Sequence, residues 1–201
     1  SLDDVVKLMA LRGFSLSHQA VHNLVQTFGV TLGRKRRSKR KGKTGKKWHV
    51  DATYLKVEGR WCYFYGAIDK EGNLADVYLS DVRGQAVVEA FFKQAQETTG
   101  ITPEQIATDK ERAVYPTIRN IFKGSTKHRD SKYMNNVIKK NHRGIKSRYK
   151  LMKGFKNVFC ALIFCTAFEE IQQLFRMNNK TRSQRRKLLA PKFQEMQKLF
   201  M

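Results

Sequence analysis

The residues best suited to chemistry are two aspartates, one inside a strand-forming run and one at the end of another. Asp51 lies within WHVDATYLKV, where β-branched and aromatic neighbours predict burial. A carboxylate there needs a partner, because an unpaired buried charge is expensive. It is read either as a satisfied structural acid or as a metal ligand projecting from a central strand. Asp109 closes a second short run, Gln105 to Thr108. Brought together, two such carboxylates can hold divalent metal ions for phosphoryl transfer.

The elements that must position them follow from pattern. Trp48 to Val57 and Trp61 to Ile68 flank Glu58-Gly59 and read as a β-hairpin. A turn at Glu71-Gly72-Asn73 leads to a third strand, Leu74 to Leu79. Gln85 to Thr98 is predicted to be a helix burying Val87, Val88, Phe91, Phe92 and Ala95, and Pro103 stops any continuation. Ala113 to Phe122 reads as helical, interrupted early by Pro116. A further helix starts near Asn135, and Gly154 to Met177 forms a core helix in which Cys160 and Cys165 are small apolar fillers. Three antiparallel strands, a helix and a strand ending in Asp match the ribonuclease-H-like order. That is an α/β domain with a mixed five-stranded sheet flanked by helices. In that order the fourth strand pairs beside the first, so Asp51 and Asp109 meet at one edge of the sheet.

Charge says what such a site would act on. Forty Lys and Arg against 17 acids give a formal charge of +23, a field that favours polyanions, nucleic acid first and an anionic membrane surface second. No apolar run approaches the length of a membrane span, and SLDDVVKL lacks the form of a signal peptide. Three cysteines without C-x-x-C spacing indicate neither a disulfide framework nor a zinc site, as expected in a reducing compartment. The chain opens on Ser1 rather than methionine, as a fragment or trimmed chain would.

Residues 1–32 form a small all-α unit. Val5, Val6, Leu8, Met9 and Leu11 give one helical face, and Ser15 or Ser17 caps a second helix. There Ala20, Val21, Leu24, Val25 and Phe28 share a face, while His18, Gln19, His22 and Asn23 point the other way, able to reach base edges. This is a helix-turn-helix DNA reader or, equally, any small helical hairpin. Residues 33–47 hold ten Lys or Arg, among them Arg34, Lys35, Arg36 and Arg37. They read as a disordered basic linker that tracks phosphates, or as a merely solvated segment. His142, Arg143, Lys146 and Arg148 crowd one helix, and His128-Arg129 lies near the acidic edge; both groups are candidate phosphate contacts. Residues 179–201 are a basic, weakly amphipathic tail.

From residue 1 to about Asn178 the chain resembles bacterial insertion-sequence transposases of the DDE type, close to the insertion-sequence-six family. The resemblance rests on WHVDATYLKVEGRWCYFYGAID, TDKERAVYP, KHRDSKYMNNVI, HRGIKSRY and KGFKNVFCALIFCTAFEEI. It implies an integrase-type catalytic domain over 48–178 and metal-dependent cleavage and strand transfer with Mg²⁺ or Mn²⁺. It also implies binding to double-stranded terminal repeats and target DNA, homodimers or larger assemblies, and a place at the bacterial nucleoid in the cytoplasm. Asp51 and Asp109 stand at the family's first two acids. The third is missing. The family Glu follows an Asn-Asn-hydrophobic-hydrophobic string, and after Asn135-Asn136-Val137-Ile138 this chain has Lys139. An ammonium cannot ligate Mg²⁺. The 29 residues between Asp109 and Lys139 are also fewer than the family pattern has, with the shortfall near Phe122 to Thr126. Ala52 and Asn141 are lesser departures. Asp130, Glu169 and Glu170 do not stand at the matching position, and the two Glu are expected to face solvent or pair with Arg176. A silenced transposase, or a non-catalytic DNA-binding repressor or inhibitor derived from one, is the expectation.

Overall fold

In the computed structural model of the protein the hairpin closes through Glu58 (φ 52°) and Gly59 (φ 77°), the pair of left-handed residues that a two-residue hairpin turn requires. It joins β1 (Lys47–Val57) to β2 (Arg60–Asp69), and β3 (Leu74–Ser80) extends the antiparallel sheet. The structure describes residues 1–109, 114–130, 136–152, 154–177 and 180–200; the side chains of Asn136, Val137, Lys140, Asn141 and Leu151 are not among what it describes. The helix starts expected at Ala113 and near Asn135 and the domain end at Asn178 lie outside the described residues.

After α3 (Gln85–Thr99) comes β4 (Gln105–Thr108), which runs parallel to β1 over Lys47–His49. The sheet order is β3-β2-β1-β4-β5, with β5 at Lys127–Asp130 parallel to β4. The fifth strand is therefore KHRD, which puts Asp130 at a strand end. Pro116 sits in the first turn of α4 (Val114–Phe122) and does not interrupt it, since the first turn has no intrahelical acceptor for its N–H groups.

Strand alternation gives each face of the sheet its own core. Trp48, Val50, Tyr65 and Ala67 pack with Val88, Phe91 and Phe92 of α3 and Ile118 and Phe122 of α4. On the other face Leu55, Val57, Cys62 and Phe64 meet α5 (Asn136–Met152) and α6 (Val158–Leu174) through Ile138, Ile145, Ala161 and Cys165.

The N-terminal region departs from expectation. α1 (Leu2–Ala10) buries no residue, and α2 does not stop near residue 29 but runs from His18 to Ser38. Most of the apolar face read for α2 stays exposed at Leu24, Val25 and Phe28, and only Val21 of that set is buried. What buries instead is Gly29, Leu32 and Gly33. A Cβ on Gly29 would lie 3.2 Å from Ala167 Cβ, and one on Gly33 3.4 Å from Thr166 Cγ2. Two glycines one turn apart thus seat α2 closely on α6. The first part of the basic stretch is helix, not disordered linker.

Acids far away in sequence neutralise it. Arg37 Nη2 donates to Asp76 Oδ2 at 2.9 Å, and Arg40 pairs with Glu170 and lies 3.5 Å from Asp76. Arg36 reaches Glu170 at 3.6 Å and Glu195 at 3.3 Å. Glu195 belongs to α7 (Arg182–Gln197), so the tail docks on this network, and Phe200 completes the contact edge-on to Phe28 at 5.1 Å. Glu169 and Glu170 are both buried, not solvent-facing. Among the described residues no helix is long and apolar enough to cross a membrane.

Burial pushes the Glu169 carboxyl up to about 7 from an ordinary 4.5, opposed by Arg176 and reinforced by Glu170. A raised carboxyl pKa favours folding below the unfolded value and loses that contribution as pH rises through the folded value. The cost to the native state therefore grows from pH 4.5 upward and reaches about 3 kcal/mol near pH 7. Urea denaturation across that window should show Glu169→Gln gaining on the native chain as pH rises; parallel stability curves would refute the assignment.

Candidate functional site

The acidic edge is assembled by β1, the end of β4 and α5. Asp51 is registered opposite Gly66 of β2. Gly66 leaves room for α5: a Cβ there would lie 3.1 Å from His142 Nε2 and 3.6 Å from Ile138 Cδ1. With no side chain in the way, His142 lies buried on the sheet with its Nδ1 3.7 Å from Asp51 Oδ2, edge-on to Phe64. The sequence placed His142 with the exposed phosphate contacts; the structure turns it inward to the site. The signal was present, because Ile138, His142, Ile145 and Tyr149 recur at helical spacing and face the sheet together.

Lys139 is the centre of the arrangement. Its Nζ donates to Asp109 Oδ2 at 2.6 Å. That hydrogen bond, offset in part by desolvation and reinforced by the charges of Asp109 and Asp51, holds the ammonium above the usual lysine value. Strand order brings Asp51 and Asp109 to one edge, and α5 adds the residue at the third-acid position to them. Two carboxylates with an ammonium on one of them do not fit a divalent ion: the cation takes up an oxygen the metal would need and repels the metal's charge. Among the described residues no three His, Cys, Asp or Glu side chains group to hold a metal. Glu170 is committed to Arg40 and Arg36, so it does not replace the missing ligand.

The other candidate contacts divide by exposure. His128 Nε2 lies 2.8 Å from Thr108 Oγ1 under the Tyr115 ring, and burial, against the pull of Asp130, lowers its pKa. A neutral imidazole held this way braces β5 on β4 next to Asp109. Arg129, Arg143, Lys146 and Arg148 are exposed. Helical spacing continues the face of Lys139 through Arg143, Lys146 and Lys150 and turns Arg148 to the opposite side. On α2, His18, Gln19, His22 and Asn23 are exposed, with Gln19 Nε2 donating to Asn23 Oδ1 at 2.8 Å and His18 3.8 Å from Asp3. Arg34 is exposed and Lys35 half-buried, whereas Arg36 and Arg37 are spent on the internal network.

A family model described as a DDE domain matches residues 45–178. The chain is 30% identical over 188 residues to the transposase for insertion sequence-like element IS431mec of Staphylococcus aureus, covering 90% of this chain and 80% of that protein. It is equally similar to the Staphylococcus aureus transposase for insertion sequence element IS257 in transposon Tn4003. Among solved structures it superposes on the HTLV-2 integrase catalytic core domain in complex with magnesium (dimeric form), with TM-score 0.53, 21% identity and coverage of 72% and 98%. A simian T-cell lymphotropic virus intasome chain gives TM-score 0.53 at 16% identity, with 74% of this chain and 56% of that one covered. The fold is that of integrase cores.

Proposed function

We propose, from the premise that this chain belongs to the insertion-sequence-six family of DDE transposases, that it binds duplex DNA at element ends without cleaving it. The observation that carries this is the Lys139–Asp109 pair at 2.6 Å, a tethered cation where the family chemistry calls for a third carboxylate and Mg²⁺ or Mn²⁺. With a third acid beside Asp51 and Asp109, such ions would supply activation of an attacking oxygen and stabilisation of a leaving one. Here the chain's own residues instead cancel charge at the site while leaving the fold around it intact.

DNA binding does not depend on that chemistry. Arg143, Lys146 and Lys150 continue from Lys139 along α5, so phosphates can follow cations into the site, and Arg129 on β5 adds a further exposed cation. The polar face of α2, with His18, Gln19, His22 and Asn23, is the candidate reader of the terminal repeat, and Arg34 and Lys35 add phosphate contacts. Two ends require two protomers, so a homodimer on DNA, at the bacterial nucleoid, is part of the reading. A chain that occupies ends without cutting them would act as an inhibitor of active copies.

The test is strand nicking and joining on a labelled element-end duplex with Mg²⁺ or Mn²⁺. We expect salt-dependent binding and no cut product from the native chain. A nick that disappears in Asp51→Ala would sink the proposal and show that another group supplies the third ligand.

A further inference from the structure

A recess of about 530 Å³ opens between the last turn of α2, the start of β3 and the end of α7. Its floor is closed by Arg40, Leu74, Glu170 and Leu199, all buried. Its rim carries Lys39, Lys43 and Lys198, which are exposed and pair with no carboxylate among the described residues. Two polar atoms of residues in its wall have no hydrogen-bond partner, the Arg36 Nε and the Thr44 Oγ1, and Thr44 is only 7% exposed. Buried donors and acceptors are almost always satisfied. Here an unmet N–H and an unmet hydroxyl belong to one cavity. Glu170 Oε2 comes no nearer than 3.6 Å to Arg36 Nε, beyond a hydrogen bond.

The charge of the recess is not cancelled from within. Glu170 and Asp76 face Arg40. Glu195, the carboxylate at the rim, divides itself between Arg36 at 3.3 Å and Lys192 at 3.1 Å. The end of α2 does not repel an anion through bare carbonyls at Arg36 and Arg37, because the N–H groups of Lys39 and Arg40 bond to them. Three unpaired ammonium groups and a guanidinium N–H without an acceptor call for an oxyanion of more than one charge. The depth selects among such anions. A duplex lying on the surface reaches the rim lysines, whereas a wall at Thr44 and a buried floor admit only a small projecting group, and the volume is that of a small-molecule site.

We propose that this recess binds a small phosphoanion, the diphosphate group of a free pyrophosphate or nucleotide. Lys39, Lys43 and Lys198 take its charge, and Arg36 and the Thr44 hydroxyl hold its oxygens, with the anion taking the place of Glu195 on Arg36. The site shares no residue with the Asp51–Asp109–Lys139 centre or with the polar face of α2. Its ligand joins the end of α2 to α7, and so acts on how α2 is held against the sheet domain.

The test titrates pyrophosphate into the full chain by calorimetry at constant ionic strength. The expected result is a single saturable site that takes pyrophosphate more tightly than inorganic phosphate. Lys43→Ala combined with Lys198→Ala should weaken binding at least about tenfold, and Thr44→Val about tenfold. Lys7→Ala combined with Lys156→Ala removes the same charge from exposed positions outside the recess and should leave binding unchanged. Glu195→Gln should tighten it about threefold by removing the competing carboxylate, an effect that a merely structural role for these residues does not produce. Absence of saturable binding, or equal weakening by the two double-lysine variants, overturns the site. Loss of pyrophosphate binding under saturating element-end duplex overturns the assignment to a small molecule and gives the recess to a DNA phosphate.

Discussion

Replacing Lys139 by Glu is expected to convert a DNA binder into a nuclease, raising metal-dependent nicking of an element-end duplex at least a hundredfold over the native chain, about the weight of one electrostatic contact at a reacting centre. The substitution does two things at once. It removes the ammonium that sits 2.6 Å from Asp109 Oδ2, returning that oxygen to the site, and it supplies the oxygen ligand that a hard cation prefers. Lys139→Ala does only the first, and should leave nicking absent. DNA affinity should move in the opposite sense. In the native chain the ammonium offsets the repulsion between carboxylates and phosphate, so binding should be indifferent to a chelator. With three carboxylates and no lysine, binding near the site should weaken in EDTA and recover with Mg²⁺. If Lys139→Glu binds but does not cut, the short connection between Asp109 and α5, not the lysine, is what holds the site shut.

That experiment is worth doing because the integrase-type sheet that frames the site is the one the sequence led us to expect. Asp51 and Asp109 could be paired before any coordinates because strand order alone sets the fourth strand beside the first, and β1 and β4 are parallel neighbours. The lysine could be located because the Asn-Asn-hydrophobic-hydrophobic string fixes its place in the helix. Its bond to Asp109 could not, since a side-chain contact across 30 positions depends on where α5 lands on the sheet. That landing is set by Gly66, whose missing Cβ admits His142. The expected fifth strand could not be located because Lys-His-Arg-Asp has no apolar alternation and is held by backbone pairing to β4. The largest misreading was the basic stretch after Gly33. A local charge count predicts self-repulsion and disorder, but it cannot see Asp76, Glu170 and Glu195, which fold back from three other elements to meet Arg36, Arg37 and Arg40.

Those acids make Arg40 the most consequential residue outside the site. Arg40 and Glu170 are both buried, and Arg40 also donates to the Ala75 carbonyl at 3.0 Å. Removing one partner of a buried ion pair leaves the other's charge uncompensated, which typically costs about 3–5 kcal/mol. Arg40→Met keeps the stem's volume and should lose stability of that order in urea denaturation, because Arg36, which then faces Glu170 without Arg40, stands at 3.6 Å. Asp76 should matter less to that loss. It keeps the Arg37 pair and also accepts from Thr98 Oγ1 at 2.8 Å and Gln94 Nε2 at 3.0 Å. The double variant Arg40→Met with Glu170→Leu separates the charge effect from the packing effect: with both ions replaced by apolar groups, most of the lost stability should return. A double variant as unstable as Arg40→Met alone would show that Arg40 acts through shape and its bond to Ala75. If instead the charge argument holds, this pair, with Gly29 and Gly33 packed against α6, is what seats α2 on the sheet domain. Arg40→Met should then also loosen α2, measured as faster amide hydrogen exchange over residues 29–38 than in α3.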